Sequence, residues 1–234
     1  MRKGLAFCIG LLFACVLAAQ TPPEVEMTAE PGHHLVLENK YVRVFKVEVA
    51  PHAATLMHRH RHDYVYVILG AARVENEVAG KPPVTITLQD GETHFLPGGF
   101  AHRAKNLSDQ PMRNIIIELL QDEKARRAPP PPWDEERGLH ILDGGTEDIL
   151  FVKDGVRVSE LQLQPGGVLP KHHHAGPYMV VAVTDLDLRN QVEGKAASEI
   201  QLKAGDVFWE KGGFTHMLTN AGKQNAKLIT IEFH

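Results

Sequence analysis

The chain has 234 residues, 25 basic against 29 acidic side chains, and a formal charge of −4. That mildly acidic balance gives no electrostatic reason to expect nucleic acid or an anionic membrane as a partner. The only cysteines are Cys8 and Cys15, so a mature chain that loses its first residues has no disulfide, thiolate ligand or cysteine nucleophile.

Arg2 and Lys3 precede an apolar run from Gly4 to Leu17, and Ala18-Ala19 offers a small-residue cleavage site. This layout predicts a secretory signal peptide over residues 1–19 and a periplasmic or secreted product. The run is shorter than the roughly 20 residues that span a bilayer, so no membrane span is expected. A lipoprotein anchor at Cys15 ranks second, because Phe13 fits poorly in Leu12-Phe13-Ala14-Cys15. Loss of Arg2 and Lys3 takes the formal charge from −4 to −6. Residues 20–32 are polar and proline-bearing and read as a flexible lead-in.

Alternation with a period near two then begins. Strands are expected over Tyr41–Val49, Tyr64–Leu69, Val84–Leu88, Thr93–Leu96 and Asn114–Leu120, with Gly, Pro, Asn and Asp between them. No long amphipathic helix interrupts either half. Gln121 to Arg127 has room for one or two helical turns. The four prolines of Pro129 to Pro132 favour an extended, semi-rigid spacer. The reading is a first domain over 33–122, a linker over 123–138 and a second domain over 139–234.

The halves repeat at one fixed offset. His58 recurs as His172, His60 as His174 and His102 as His216, each 114 residues on. Tyr64 with Tyr178, Gly91 with Gly205, Gly99 with Gly213 and Asn106 with Asn220 keep the same spacing. The histidines were therefore duplicated with the fold that carries them. Alternate side chains of a strand share a face, so the two rings of His58-Arg59-His60 point one way and can share one ion. A third ligand comes from His102, after the turn Pro97-Gly98-Gly99. The second set is His172, His174 and His216.

These residues resemble the cupin superfamily. Gly91, Pro97, Gly99, His102 and Asn106 match its second motif, G-x5-P-x-G-x2-H-x3-N; Gly205, Gly213, His216 and Asn220 repeat it with Lys211 in place of proline. Gly166, His172 and His174 match the first motif, whereas His52 stands where the first half should have that glycine. The resemblance implies an all-β chain: two tandem cupin jelly-roll barrels joined by the proline-rich linker, each holding a metal through its motif histidines. It also implies a small-molecule ligand and the dimerisation common in the family.

The family's usual glutamate ligand is replaced by Tyr64 and by Tyr178. Three neutral imidazoles leave a divalent ion its charge and open positions for an anionic, chelating ligand. The phenols are candidate catalytic residues: distant ligands, donors that orient the ligands from behind, or wall residues. The second role is favoured, because a neutral phenol with a pKa near 10 is a poor ligand. The resemblance points to Fe2+ and a non-haem dioxygenase acting on a small chelating or anionic substrate. The same rings also suit Zn2+, Mn2+, Ni2+ and Cu2+. The competing reading is a non-catalytic small-molecule or metal-binding module, since few proton-handling groups are visible.

His62 would share the face of His58 and His60 and has the chemistry of an added ligand or base for the first site only; its counterpart is Gly176, and a place at the barrel rim is the favoured reading. His94 reads as structural; His33, His34, His52, His140, His173 and His234 read as solvated. Arg43 and Arg157 match in position, as do Glu118 and Glu232, and an Arg–Glu pair on neighbouring strands is expected in each half. No nucleophile elbow or phosphate-binding glycine loop is present.

Overall fold

A computed structural model describes residues 23–121, 138–153 and 155–233. The expected signal peptide, the proline run and most of the linker fall outside the described residues, as does His234.

In the first half the strands are β1 (Val25–Glu26), β2 (His33–Glu38), β3 (Val42–Val49), β4 (His58–His60), β5 (Tyr64–Leu69), β6 (Ala72–Val78), β7 (Val84–Leu88), β8 (Thr93–Leu96), β9 (Phe100–Asn106) and β10 (Met112–Leu119). The second half has β11 (Leu139–Lys153), β12 (Val156–His174), β13 (Tyr178–Ala182), β14 (Leu186–Val192), β15 (Ser198–Leu202), β16 (Val207–Glu210), β17 (Phe214–Asn220) and β18 (Ala226–Phe233). Among the described residues the one helical element is a 3-10 turn, Met27–Ala29. The expected strands at Tyr64–Leu69, Val84–Leu88 and Thr93–Leu96 are β5, β7 and β8; β10 begins two residues before the expected Asn114.

The first barrel closes two five-stranded sheets, β1-β4-β9-β6-β7 and β2-β3-β10-β5-β8. In the second, β12 runs through both layers, so one sheet follows the path β15-β14-β17-β12-β18-β13-β16, with β11 against β12. The first half breaks this strand into β3 and β4 at the turn that holds His52. His52 has φ 59°, and its counterpart Gly166 has φ 79°. Glycine enters that region freely, whereas a side chain there is strained.

The strand sequences explain how the barrels sit together. β3, β5 and β10 are apolar on both faces, the pattern of a sheet buried on both sides. Phe45, Tyr64, Ile68, Met112 and Ile116 fill the first barrel's interior. Their neighbours Val42, Val44, Val65, Val67, Ile115 and Ile117 face outward, yet all are fully buried, because they pack on the matching outer face of the second barrel. Val156, Val158, Val181, Ile229 and Ile231 complete this slab. Each such side chain contributes at most about 1.5–3 kcal/mol of transfer free energy. Lys46 Nζ reaches Asp206 Oδ1 at 2.8 Å across the slab's edge.

Part of the expected lead-in belongs to the barrel. β1 pairs in parallel with β4, Val25 opposite His58. Met27 is buried, and Glu30 is buried with His33. An apolar contact and a satisfied carboxylate hold this segment despite its polar composition.

Candidate metal centre

Each triad is assembled by strand pairing. In the first barrel β4 lies antiparallel to β9, with His58 opposite His102. In the second, His172 lies opposite His216 on β17. The approach to each third ligand is a tight turn: Gly99 (φ 91°) donates its N–H to His60 O at 2.7 Å, and Gly213 (φ 78°) does the same to His174 O. The motif asparagines pin the next loop. Asn106 Nδ2 donates to Gln110 O at 2.8 Å, and Asn220 Nδ2 to Gln224 O at 2.8 Å.

Of the ring nitrogens that point away from the centre, all but His60 Nδ1 have a partner. His58 Nδ1–H donates to Leu56 O at 2.9 Å and His172 Nδ1–H to Pro170 O at 2.8 Å. His102 and His216 donate from Nδ1 to Asn76 Oδ1 (2.7 Å) and Asn190 Oδ1 (2.8 Å). These acceptors fix the tautomer and leave Nε2 as the ligand atom.

In the second barrel the three Nε2 atoms lie 3.1, 3.0 and 2.9 Å apart. Bare lone pairs held this close repel, and a cation among them removes the cost. Ligands about 2.1 Å from one ion stand roughly 3.0 Å apart at right angles and roughly 3.4 Å apart at tetrahedral angles. The observed spacing fits one face of an octahedron. In the first barrel His60 and His102 bring Nε2 atoms to 3.1 Å, and all donor atoms lie within 4.8 Å. His58 Nε2 is buried without a protein partner, an orphaned atom that an ion would satisfy. Both triads thus fit a divalent metal.

Burial disfavours the charged form of His58, His60, His102, His172 and His216. It lowers His58 to about 4, with the neighbouring His33 adding to the effect. Burial and then the adjacent rings take His60 to about 2 and His102 to about 3. His216 falls to about 3 for the same reasons, and His172 is lowered chiefly by burial. Protons therefore compete weakly with a metal in the folded chain.

Tyr64 stacks on His60 (centroids 4.1 Å, 21°) and Tyr178 on His174 (3.9 Å, 17°). Burial pushes both phenols well above their usual range. They pack the ligand rings and stay protonated.

The expected Arg–Glu pairs form. Arg43 Nη1 reaches Glu118 Oε2 at 3.3 Å, and Arg157 Nη1 reaches Glu232 Oε2 at 3.5 Å. Their environments differ. Glu232 also accepts from His174 Nδ1 at 3.1 Å. Burial pushes its carboxyl up, but that bond and the charges of His174 and Arg157 outweigh it, and the net shift is downward. In the first half His60 Nδ1 is buried with no partner, and burial leaves Glu118 raised.

Several histidines expected to be solvated are placed otherwise. His33 is buried, its Nδ1 2.6 Å from Glu30 Oε2 and its ring 4.7 Å from that of His58. The Glu30-x-x-His33 spacing was the available signal. Its structural counterpart is Glu147: His33 pairs with Val47 and Glu147 with Leu161. His140 is half-buried at the second cavity. His34, His52 and His173 are exposed as expected. β4 stops at His60, so His62 lies in the next loop, beside Arg43 and Glu118 and outside the triad. His94 is exposed and pairs with Glu92 at 2.6 Å.

A cavity of about 510 Å³ opens beside the second triad, against about 100 Å³ in the first barrel.

Residues 45–118 match the family described as Cupin domain. Among curated proteins none matches the chain. Solved structures of oxalate decarboxylase from Bacillus subtilis share the fold. One, a single-residue variant, has TM-score 0.61 and 14% identity, covering 83% of this chain and 69% of its own. Another, at pH 4.6, has the same score and identity over 83% and 68%. A third, concerned with the Mn(II) centres of that enzyme, scores 0.61 at 14% identity over 86% and 76%. The architecture is the cupin jelly roll, present twice in tandem.

Proposed function

We propose that this is an exported metal-dependent oxygenase with a divalent transition metal in each barrel, iron first and manganese second. Its substrate is an anionic chelator that enters the second barrel. The observation that carries the reading is the triangle of Nε2 atoms at 2.9–3.1 Å on the wall of the 510 Å³ cavity. A facial, octahedral arrangement of three imidazoles suits Fe2+ or Mn2+ better than tetrahedral Zn2+ and leaves positions for exogenous ligands. The Mn(II) centres of the structural neighbour support the same choice. Export rests on the leader, with its basic start, apolar run and Ala18-Ala19.

His172, His174 and His216 would hold the ion in the second barrel. The bound metal would polarise a chelating oxygen of the substrate and bring O₂ to it. Arg157, on the same wall, is held by Glu232 through Nη1 (3.5 Å) and by Glu147 through Nη2 (3.3 Å), and its positive charge would favour an anionic head group beside it. Glu232 steadies His174 and lines the cavity, where a carboxylate can take a proton from substrate; the sequence reading had missed this role. A non-catalytic binding module is the second reading, favoured by the two phenols that burial keeps protonated.

The test is metal analysis of the purified chain, then oxygen uptake by the iron-loaded protein with diketones, phenols and thiols. Two metal equivalents and substrate-dependent uptake are expected. Full metal without uptake for any class would favour the binder.

A further inference from the structure

The inner faces of the two barrels can be compared layer by layer. β12 and β18 pair Arg157 with Glu232, Ser159 with Thr230, Leu161 with Leu228 and Leu163 with Ala226. From the metal inward, the wall runs from a charged layer through hydroxyls to hydrocarbon. In the first barrel β3 and β10 pair Arg43 with Glu118, Phe45 with Ile116, Val47 with Asn114 and Val49 with Met112. The charged layer is the same, but the next is closed. Phe45, Ile116 and Tyr66 stand where the second barrel has Ser159, Thr230 and Val180. These three exchanges from large to small open the passage from the charged layer to the interior. They explain why the second cavity has about five times the volume of the first.

We propose that the second barrel binds an amphipathic monoanion: a carboxylate head at the metal and Arg157, and an apolar tail lying inward along Leu161, Val180, Leu188, Phe208 and Leu228. This rests on the metal reading above and names the substrate class for it. A cavity of 510 Å³ falls within the range of pockets that enclose whole organic ligands, and has room for on the order of ten carbon atoms. A short chelator would leave most of it empty. The charge balance points the same way. A divalent ion with Arg157, Glu147 and Glu232 leaves one positive charge, which a monoanion neutralises. A dianion would leave a net negative charge against hydrocarbon.

The experiment is calorimetric titration of the full chain, loaded with Mn2+ and again metal-free, with straight-chain carboxylates from acetate to dodecanoate and with oxalate and malonate. Metal content is measured first. Affinity should rise about three- to fourfold per methylene and level off near ten carbons. The double variant Val180→Tyr/Thr230→Ile installs side chains that the first barrel already accommodates at those positions. It should keep its metal and its affinity for acetate but lose the chain-length slope. Equal affinity for acetate and octanoate, tighter binding of oxalate than octanoate, or an unchanged slope in the variant would overturn the proposal. A flat series with two bound metals sinks this inference alone. A chain that takes up no metal but keeps the slope sinks the oxygenase reading and leaves the tail pocket standing.

Discussion

The two barrels share a triad and a charged pair and differ in what lies behind them. The first is packed: Phe45, Tyr66 and Ile116 fill the layer next to the metal, and a buried His33–Glu30 pair backs His58. The second is hollow at that layer, and the carboxylate of its charged pair, Glu232, also bonds His174 from behind. The triad geometry is retained in both copies, whereas the large cavity lies in one. Ligand nitrogens are constrained by the ion, but wall residues need only fill volume, so a duplicated wall can be packed shut while its metal site persists.

The largest effect that would break this comparison comes from removing a ligand. His172→Ala should lower bound metal from two equivalents to one and abolish oxygen uptake. His58→Ala should lower the metal equally but leave uptake in place. Activity lost only in the first-barrel variant would reverse the assignment of roles. Next comes acid. The metal-free chain should lose stability as pH falls from about 6.5 towards 4. Its unfolded imidazoles take up protons near 6.5, while His58, His60 and His102 in the fold do not until about 4 or below. At pH 5 this costs up to roughly 2 kcal/mol per buried ring. Denaturant titrations at pH 7 and 5 would measure it, and equal midpoints would contradict the burial argument.

The carboxylate behind the ligand sharpens the contrast further. Glu232→Gln should weaken metal binding in the second barrel about 10- to 100-fold, the usual effect of losing a hydrogen-bond partner of a ligating histidine. Glu118→Gln should change the first site little, because Glu118 makes no bond to His60 there. Competition against a fluorescent chelator would resolve the two sites. The smallest effect is at the paired turns. His52→Gly should stabilise the first barrel by about 0.5–1 kcal/mol by relieving the positive φ, and Gly166→Ala should destabilise the second by about 1 kcal/mol.

The triads were legible because strand period and sequence offset are both integers: two residues put His58 and His60 on one face, and 114 residues repeated the set. The Arg43–Glu118 and Arg157–Glu232 pairs were legible for the same reason. His33 was not, because its burial depends on a lead-in segment whose polar composition hides one buried methionine and one buried carboxylate. Asn76 and Asn190 also lie 114 residues apart, but their role behind His102 and His216 needs β6 beside β9 and β14 beside β17. The unequal cavities were written in the substitutions Phe45 to Ser159, Tyr66 to Val180 and Ile116 to Thr230. Only strand register shows that these three positions form one layer.

Anomalous diffraction from metal-loaded crystals, recorded at the absorption edge of the bound ion, bears most directly on all of this. Two peaks are expected, one within bonding distance of Nε2 of His58, His60 and His102 and the other of His172, His174 and His216. A triad with no peak, or an ion coordinated through Nδ1, would contradict the account for that barrel.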